Sequence, residues 1–260
     1  MALLQVNCFS NVLDMQVMIN VILPQQTKKR VGTDSVGVTE DVPVLYLLHG
    51  MGGNHSVWER RTSLERYVDD LGLAVVMPAT DHGWYTDTTY DMKYWTYLSE
   101  ELPELIHTFF PQLTTKREKT FAAGLSMGGY GAVKWGLRCP EQFAAVASLS
   151  GALAFTDDPT PLLSLRKRAY WEGIFGPLET LGTSMENPLY LLSQTKPTTA
   201  PKLFICCGTE DDLYPISGYF AKKASEKGFD VTYEEGTGIH DWAFWDRWLP
   251  RVLEWLPLEK

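Results

Sequence analysis

Met15, Val17, Ile19, Val21 and Leu23 alternate with Gln16, Met18, Asn20 and Ile22, which is mostly the two-residue period of a half-buried strand. Residues 4–9 look similar, and the two segments predict an antiparallel opening pair. After a polar stretch at 25–41, containing Gly32 and Gly37, the character changes. Residues 44–48, 73–77, 120–123, 144–149 and 203–207 are short unbroken apolar runs, as expected of strands covered on both faces. Between them 64–71, 97–110, 127–137, 216–227 and 242–255 read as helices, with 231–233 as one more strand. Strands alternating with helices imply crossover connections and a mostly parallel sheet with helices on both faces.

The segment 154–199 breaks this rhythm, with Pro159, Pro161, Pro177, Pro188 and Pro197 and several aromatics without clean periodicity. It predicts a cap over the C-terminal edge of the sheet, where ligands bind in open parallel sheets. A chain of 260 residues in this class reads as a single domain, 1–260. Its 23 Lys+Arg against 32 Asp+Glu give a net charge of −9, which disfavours binding to nucleic acid. Arg166, Lys167 and Arg168 read as a solvated cap surface. No apolar run is long enough to span a bilayer, and no export signal is visible at the N-terminus. Cys8, Cys139, Cys206 and Cys207 lack metal or disulfide spacing and read as buried thiols of a reducing, cytoplasmic compartment.

The chemistry concentrates at a few turns. Gly124-Leu125-Ser126-Met127-Gly128 follows an apolar strand and precedes a helix, the context in which a G-x-S-x-G serine stands exposed on a strained turn. Such a serine needs a base, and of the five histidines only His240 lies C-terminal to Ser126, as the order nucleophile, acid, histidine requires. Glu210, Asp211 and Asp212 follow the 203–207 strand, and any of the three could orient His240; those left over could cap the next helix. The turn His49-Gly50-Met51-Gly52-Gly53 ends an early strand and suits main-chain donors to an oxyanion. Met51 N–H, with Gly52 as the alternative, is paired with Met127 N–H, and His49 reads as a structural hydrogen-bonder beneath the turn. Trp84 and Tyr85, Trp171 and Phe175 in the cap, and Trp242 beside His240 are candidate cleft walls for an acyl chain or a sugar face. No spacing suggests a metal, a nucleotide or any other cofactor.

These residues resemble the esterase D-like serine esterases of the α/β-hydrolase superfamily, and among them bacterial tributyrin esterases of the EstA type. The likeness runs through the opening strands, Val42 to Asn54, Gly83-Trp84-Tyr85-Thr86-Asp87, Gly124 to Gly131 and Tyr170-Trp171 with Phe175-Gly176. It implies Ser126 as nucleophile, Asp211 as acid and His240 as base. It further implies hydrolysis of short-chain acyl esters, including acetylated sugars, by a frequent homo-oligomer. S-formylglutathione hydrolases, feruloyl esterases and mycolyl transferases share the fold, so a thioesterase and a feruloyl or acetylxylan esterase are the rival activities. A non-catalytic binding protein on the same fold is the remaining alternative, disfavoured because such proteins usually lose a triad member.

Overall fold

The computed structural model describes residues 1–28 and 35–258, and Gly32 of the polar stretch lies outside them. The strands are β1 (Ala2–Ser10), β2 (Met15–Leu23), β3 (Val44–Leu48), β4 (Ala74–Pro78), β5 (Thr120–Leu125), β6 (Ala145–Leu149), β7 (Lys202–Gly208) and β8 (Val231–Gly236). They form one sheet in the order β1-β2-β4-β3-β5-β6-β7-β8. The opening pair is antiparallel, with Ala2 opposite Leu23, and β2 is antiparallel to β4; every other pairing is parallel. This is the mostly parallel sheet of the α/β-hydrolase fold. The residues of β3, β4, β5 and β6 are buried throughout, because helices cover both faces of the sheet.

On one side lie α1 (Val57–Arg61), α2 (Leu64–Tyr67) and the last helix, Trp242–Trp255. The other side carries α3 (Tyr94–Thr96), α4 (Leu102–Phe109) and α5 (Met127–Arg138). The insertion after β6 holds α6 (Thr160–Leu165), α7 (Arg168–Phe175), a 3-10 turn at Leu178–Thr183 and α8 (Pro188–Gln194). Helix α9 (Tyr214–Glu226) joins β7 to β8, and the last helix is α10.

Two helices differ from the pattern reading. The segment 64–71 is helical only to Tyr67, since Asp69 and Asp70 oppose the helix dipole and Gly72 turns the chain at φ 60°. The segment expected from 97 begins at Tyr94 and passes through a π-helical turn, Tyr97–Glu101. Pro103 has no N–H to give the carbonyl four residues earlier, and that carbonyl, Ser99 O, instead accepts Gln142 Nε2–H at 3.2 Å.

The parallel strands all point their C-terminal ends the same way. The turns after β3, β5, β6, β7 and β8 therefore gather at one edge of the sheet, beside the insertion.

Candidate active site

Ser126 stands alone between β5 and α5 with φ 53° and ψ −118°, a conformation that costs an L residue about 1–3 kcal/mol. The surroundings hold it there. Ser126 N–H donates to Leu149 O on β6 at 2.9 Å, and Ser126 O accepts Tyr130 N–H at 3.0 Å. A Cβ on Gly128 would lie 2.7 Å from His49 O, so only glycine lets the start of α5 approach the end of β3 this closely.

His240 is the last residue before α10. Asp241 caps that helix, its side chain accepting Phe244 N–H at 3.0 Å, and this fixes where the imidazole starts. The ring bridges two side chains: Nε2 lies 2.9 Å from Ser126 Oγ and Nδ1 lies 2.8 Å from Asp211 Oδ2. A carboxylate only accepts, so Nδ1 carries the proton and the Nε2 lone pair faces the serine hydroxyl. Burial of Asp211 opposes its charge. Hydrogen bonds from His240 and from Leu213 N–H, the latter at 2.8 Å, outweigh that and hold the carboxyl below its ordinary range.

The neighbouring acids are placed elsewhere. Glu210 accepts Gly238 N–H at 2.5 Å and so braces the histidine loop, while Asp212 is exposed. Neither caps α9, whose N-cap is Leu213 without a side-chain bond. The expectation of a capping carboxylate is corrected, because Asp211 already takes the Leu213 N–H.

Beside Ser126 runs the turn after β3. Gly53 N–H donates to Gly50 O at 3.0 Å, which leaves Met51 and Gly52 as the central residues. Gly52 has φ 80°, which a residue with a side chain would resist. Met127 opens α5, and its N–H belongs to the free N-terminal turn of that helix. Trp58, fully buried, donates its indole N–H to Leu48 O at 3.0 Å and secures the end of β3.

The chain matches the model of the Esterase family over residues 10–256. It is 31% identical to an acetyl esterase from Caldicellulosiruptor saccharolyticus over 98% of both chains. The chain belongs to the esterase family. Its structure is similar to that of the fluorophosphonate-binding serine hydrolase FphF from Staphylococcus aureus, with TM-score 0.86 and 32% identity over 100% of this chain and 99% of that one. It is also similar to the S-formylglutathione hydrolase FrmB from Staphylococcus aureus, with TM-score 0.84 and 32% identity over 98% of both chains.

Three of the four aromatic residues expected to wall the cleft in this esterase are not on it. Trp84 and Tyr85 have φ 51° and 52°, and this pair of left-handed residues turns both rings inward. Tyr85 is fully buried and donates its hydroxyl to His49 O at 2.7 Å. Trp84 packs edge-on against Tyr130, Trp171 and Phe175, and Trp171 is buried with its N–H on Leu162 O at 2.6 Å. These rings form the seam between α5 and the insertion. Trp242 remains half-buried, edge-on to Trp58 and to Trp245, whose ring lies beside His240. Trp245, read from its spacing as core, is therefore core and site at once; its spacing alone carries no signal of the second role.

His49 is the hydrogen-bonder expected beneath the turn. Its Nδ1–H donates to Gly50 O at 2.8 Å and its Nε2 accepts Thr80 N–H at 3.1 Å, which requires the neutral ring. Burial lowers its pKa from 6.5 to about 4. The unfolded chain takes up this proton first, so stability falls with acidification from about pH 6.5 towards pH 4, by on the order of 3 kcal/mol from this group. Chemical denaturation at pH 7 and pH 4.5 measures it, and His49→Gln removes this part of the pH slope.

The four cysteines are free, and none is close enough to another acid or histidine cluster to form a metal site among the described residues. No helix of the described residues is long and apolar enough to cross a membrane.

Proposed function

We propose that this esterase hydrolyses short-chain acyl esters, such as tributyrin, p-nitrophenyl esters and acetylated carbohydrates, through an acyl-enzyme on Ser126. The observation that carries the reading is the unbroken hydrogen-bonded series from Ser126 Oγ through both nitrogens of His240 to a buried, ionised Asp211. His240 Nε2 takes the hydroxyl proton as Ser126 Oγ attacks the acyl carbonyl, and Asp211 stabilises the imidazolium that forms. The N–H groups of Met51 and Met127 receive the oxyanion, Gly52 keeping the turn open. The imidazolium then protonates the departing alkoxide. Water, deprotonated by His240, adds to the acyl-enzyme, and collapse releases the carboxylic acid and returns the proton to Ser126. Trp242 lies on the His240 side of the cleft, where it meets the acyl or alcohol group.

The test is hydrolysis of p-nitrophenyl esters from acetate to octanoate, beside an acetylated sugar. Turnover highest at the shortest acyl chains supports the reading, and a maximum at octanoate contradicts it. The relatives favour one second reading, a thioesterase: FrmB and a Paracoccus denitrificans enzyme, 29% identical over 42% of this chain, are both S-formylglutathione hydrolases. A kcat/KM for S-formylglutathione far above that for every oxygen ester would establish that activity instead. The resemblance further supports a cytoplasmic homo-oligomer, for which the mass in solution by light scattering is the direct measurement.

A further inference from the structure

The turn after β6 carries a polar side chain that the mechanism above does not use. Ser150 has φ 51°, a left-handed conformation that serine adopts only under constraint, and its N–H is tied to Cys206 O at 2.8 Å. Fully buried, its hydroxyl meets two donors: Trp245 Nε1–H at 3.3 Å and the Cys207 thiol, whose Sγ lies 3.8 Å away. An indole N–H only donates, and a hydroxyl has two lone pairs and one proton. With both lone pairs engaged, the proton of Ser150 is left for an acceptor. That acceptor is Asp211, whose negative charge Ser150 helps to hold. Trp245 makes a second contact, its ring edge-on to the His240 imidazole with centroids 5.0 Å apart at 89°. One buried side chain of α10 thus touches the base directly and reaches the acid through one hydroxyl.

We propose that Trp245 and Ser150 are positioning residues for the acid and base of the site: the indole N–H aims the Ser150 hydroxyl at Asp211, and the indole ring fixes the plane of His240. This rests on the reading of Ser126, His240 and Asp211 as nucleophile, base and acid. Asp211 deprived of one donor is a stronger acceptor for His240 Nδ1–H, and it stabilises the imidazolium further. The base is then protonated at a higher pH, so the acid limb of kcat/KM moves upward. The titratable groups facing Asp211 are His240, from the loop before α10, and Cys207, from β7. Burial pushes the Cys207 thiol up to about 11, so it stays neutral across this limb. Glu210, next in the chain, is turned to Gly238 N–H, and His240 itself faces Asp211 and Ser126.

Trp245→Phe removes the N–H and keeps the ring, while Ser150→Ala removes the hydroxyl. In p-nitrophenyl acetate hydrolysis each variant is expected to lose about threefold to tenfold in kcat/KM, mostly in kcat, with the acid limb raised by a few tenths of a pH unit. The double variant should be no worse than Ser150→Ala alone, because the N–H acts through the hydroxyl. Acid limbs that overlay the wild type, or losses that multiply in the double variant, overturn the relay. Should Ser150→Ala fail to fold, the limb of Trp245→Phe decides. Ser126→Ala run alongside separates the two levels of the argument. Activity surviving in Ser126→Ala sinks the reading of the site and the relay with it, whereas an inactive Ser126→Ala beside an unchanged Trp245→Phe profile sinks the relay alone.

Discussion

Ser126→Ala is expected to lower kcat on p-nitrophenyl acetate by about five to six orders of magnitude, and Asp211→Asn by about four. Alanine keeps the Cβ and the left-handed backbone of residue 126, so the fold and Tm should be those of the wild type. What disappears is the only oxygen within reach of His240 Nε2 that can form an acyl bond. Asparagine at 211 fails for a different reason: its amide can turn an N–H towards Nδ1, which holds the imidazole in the tautomer with Nε2 protonated and unable to accept from Ser126. Active-site-titrated initial rates measure both losses, and a fluorophosphonate probe followed by peptide mapping locates the nucleophile. Labelling of Ser126→Ala at another residue, with activity retained, would displace Ser126 from the mechanism.

Glu186→Ala should be the most damaging substitution outside the site, at about 3–5 kcal/mol of stability. Lys134, on α5, is fully buried, and its ammonium is held by Tyr85 O at 2.5 Å, Thr86 Oγ1 at 2.9 Å and Glu186 Oε2 at 2.6 Å. The other oxygen of Glu186 takes Arg138 at 3.0 Å, and that guanidinium lies 4.0 Å from the centre of the Trp95 ring. Without Glu186 the Lys134 charge stays in the interior with neutral partners only. Glu186 belongs to the insertion, so its loss also unties that segment from α5. Thermal melts should drop by about 10 °C, with early proteolysis between α6 and α8. The double variant Lys134→Met/Glu186→Leu should recover most of the loss, since a packed apolar pair replaces a buried ionic one at little cost. Burial works against the Glu186 charge, but Lys134 and Arg138 prevail and its pKa lies below the ordinary 4.5. Its stabilising contribution is therefore complete above pH 4.5 and is lost as pH falls through the lowered value, a slope that Glu186→Ala should not show. A Tm unchanged in Glu186→Ala would mean that the insertion is held by its aromatic seam alone.

Some of this protein is written in short stretches of sequence. Unbroken apolar runs define β3 to β7 because a strand covered on both faces has no polar side, and the alternation at 15–23 marks β2, buried differently on its two faces. The strand, turn and helix around Ser126 are local too, since the glycines that permit close backbone approach lie within two residues of it. Chain order alone was enough to single out His240.

What local pattern could not resolve depends on where separate segments meet. Glu210, Asp211 and Asp212 are chemically equivalent in the sequence, and only the direction of the chain leaving β7 sends Asp211 to His240, Glu210 to Gly238 and Asp212 to solvent. Trp84, Tyr85 and Trp171 look like cleft walls until two positive φ angles turn the first two inward against α5. Lys134 and Glu186 are 52 residues apart and carry no shared motif. The division has one physical cause. Periodicity and turn chemistry report how a residue relates to its own element, and they determined the fold class, the nucleophile and the base. The partner of a buried charge or ring is chosen by packing between elements distant in the chain, and that was decided only in the tertiary structure.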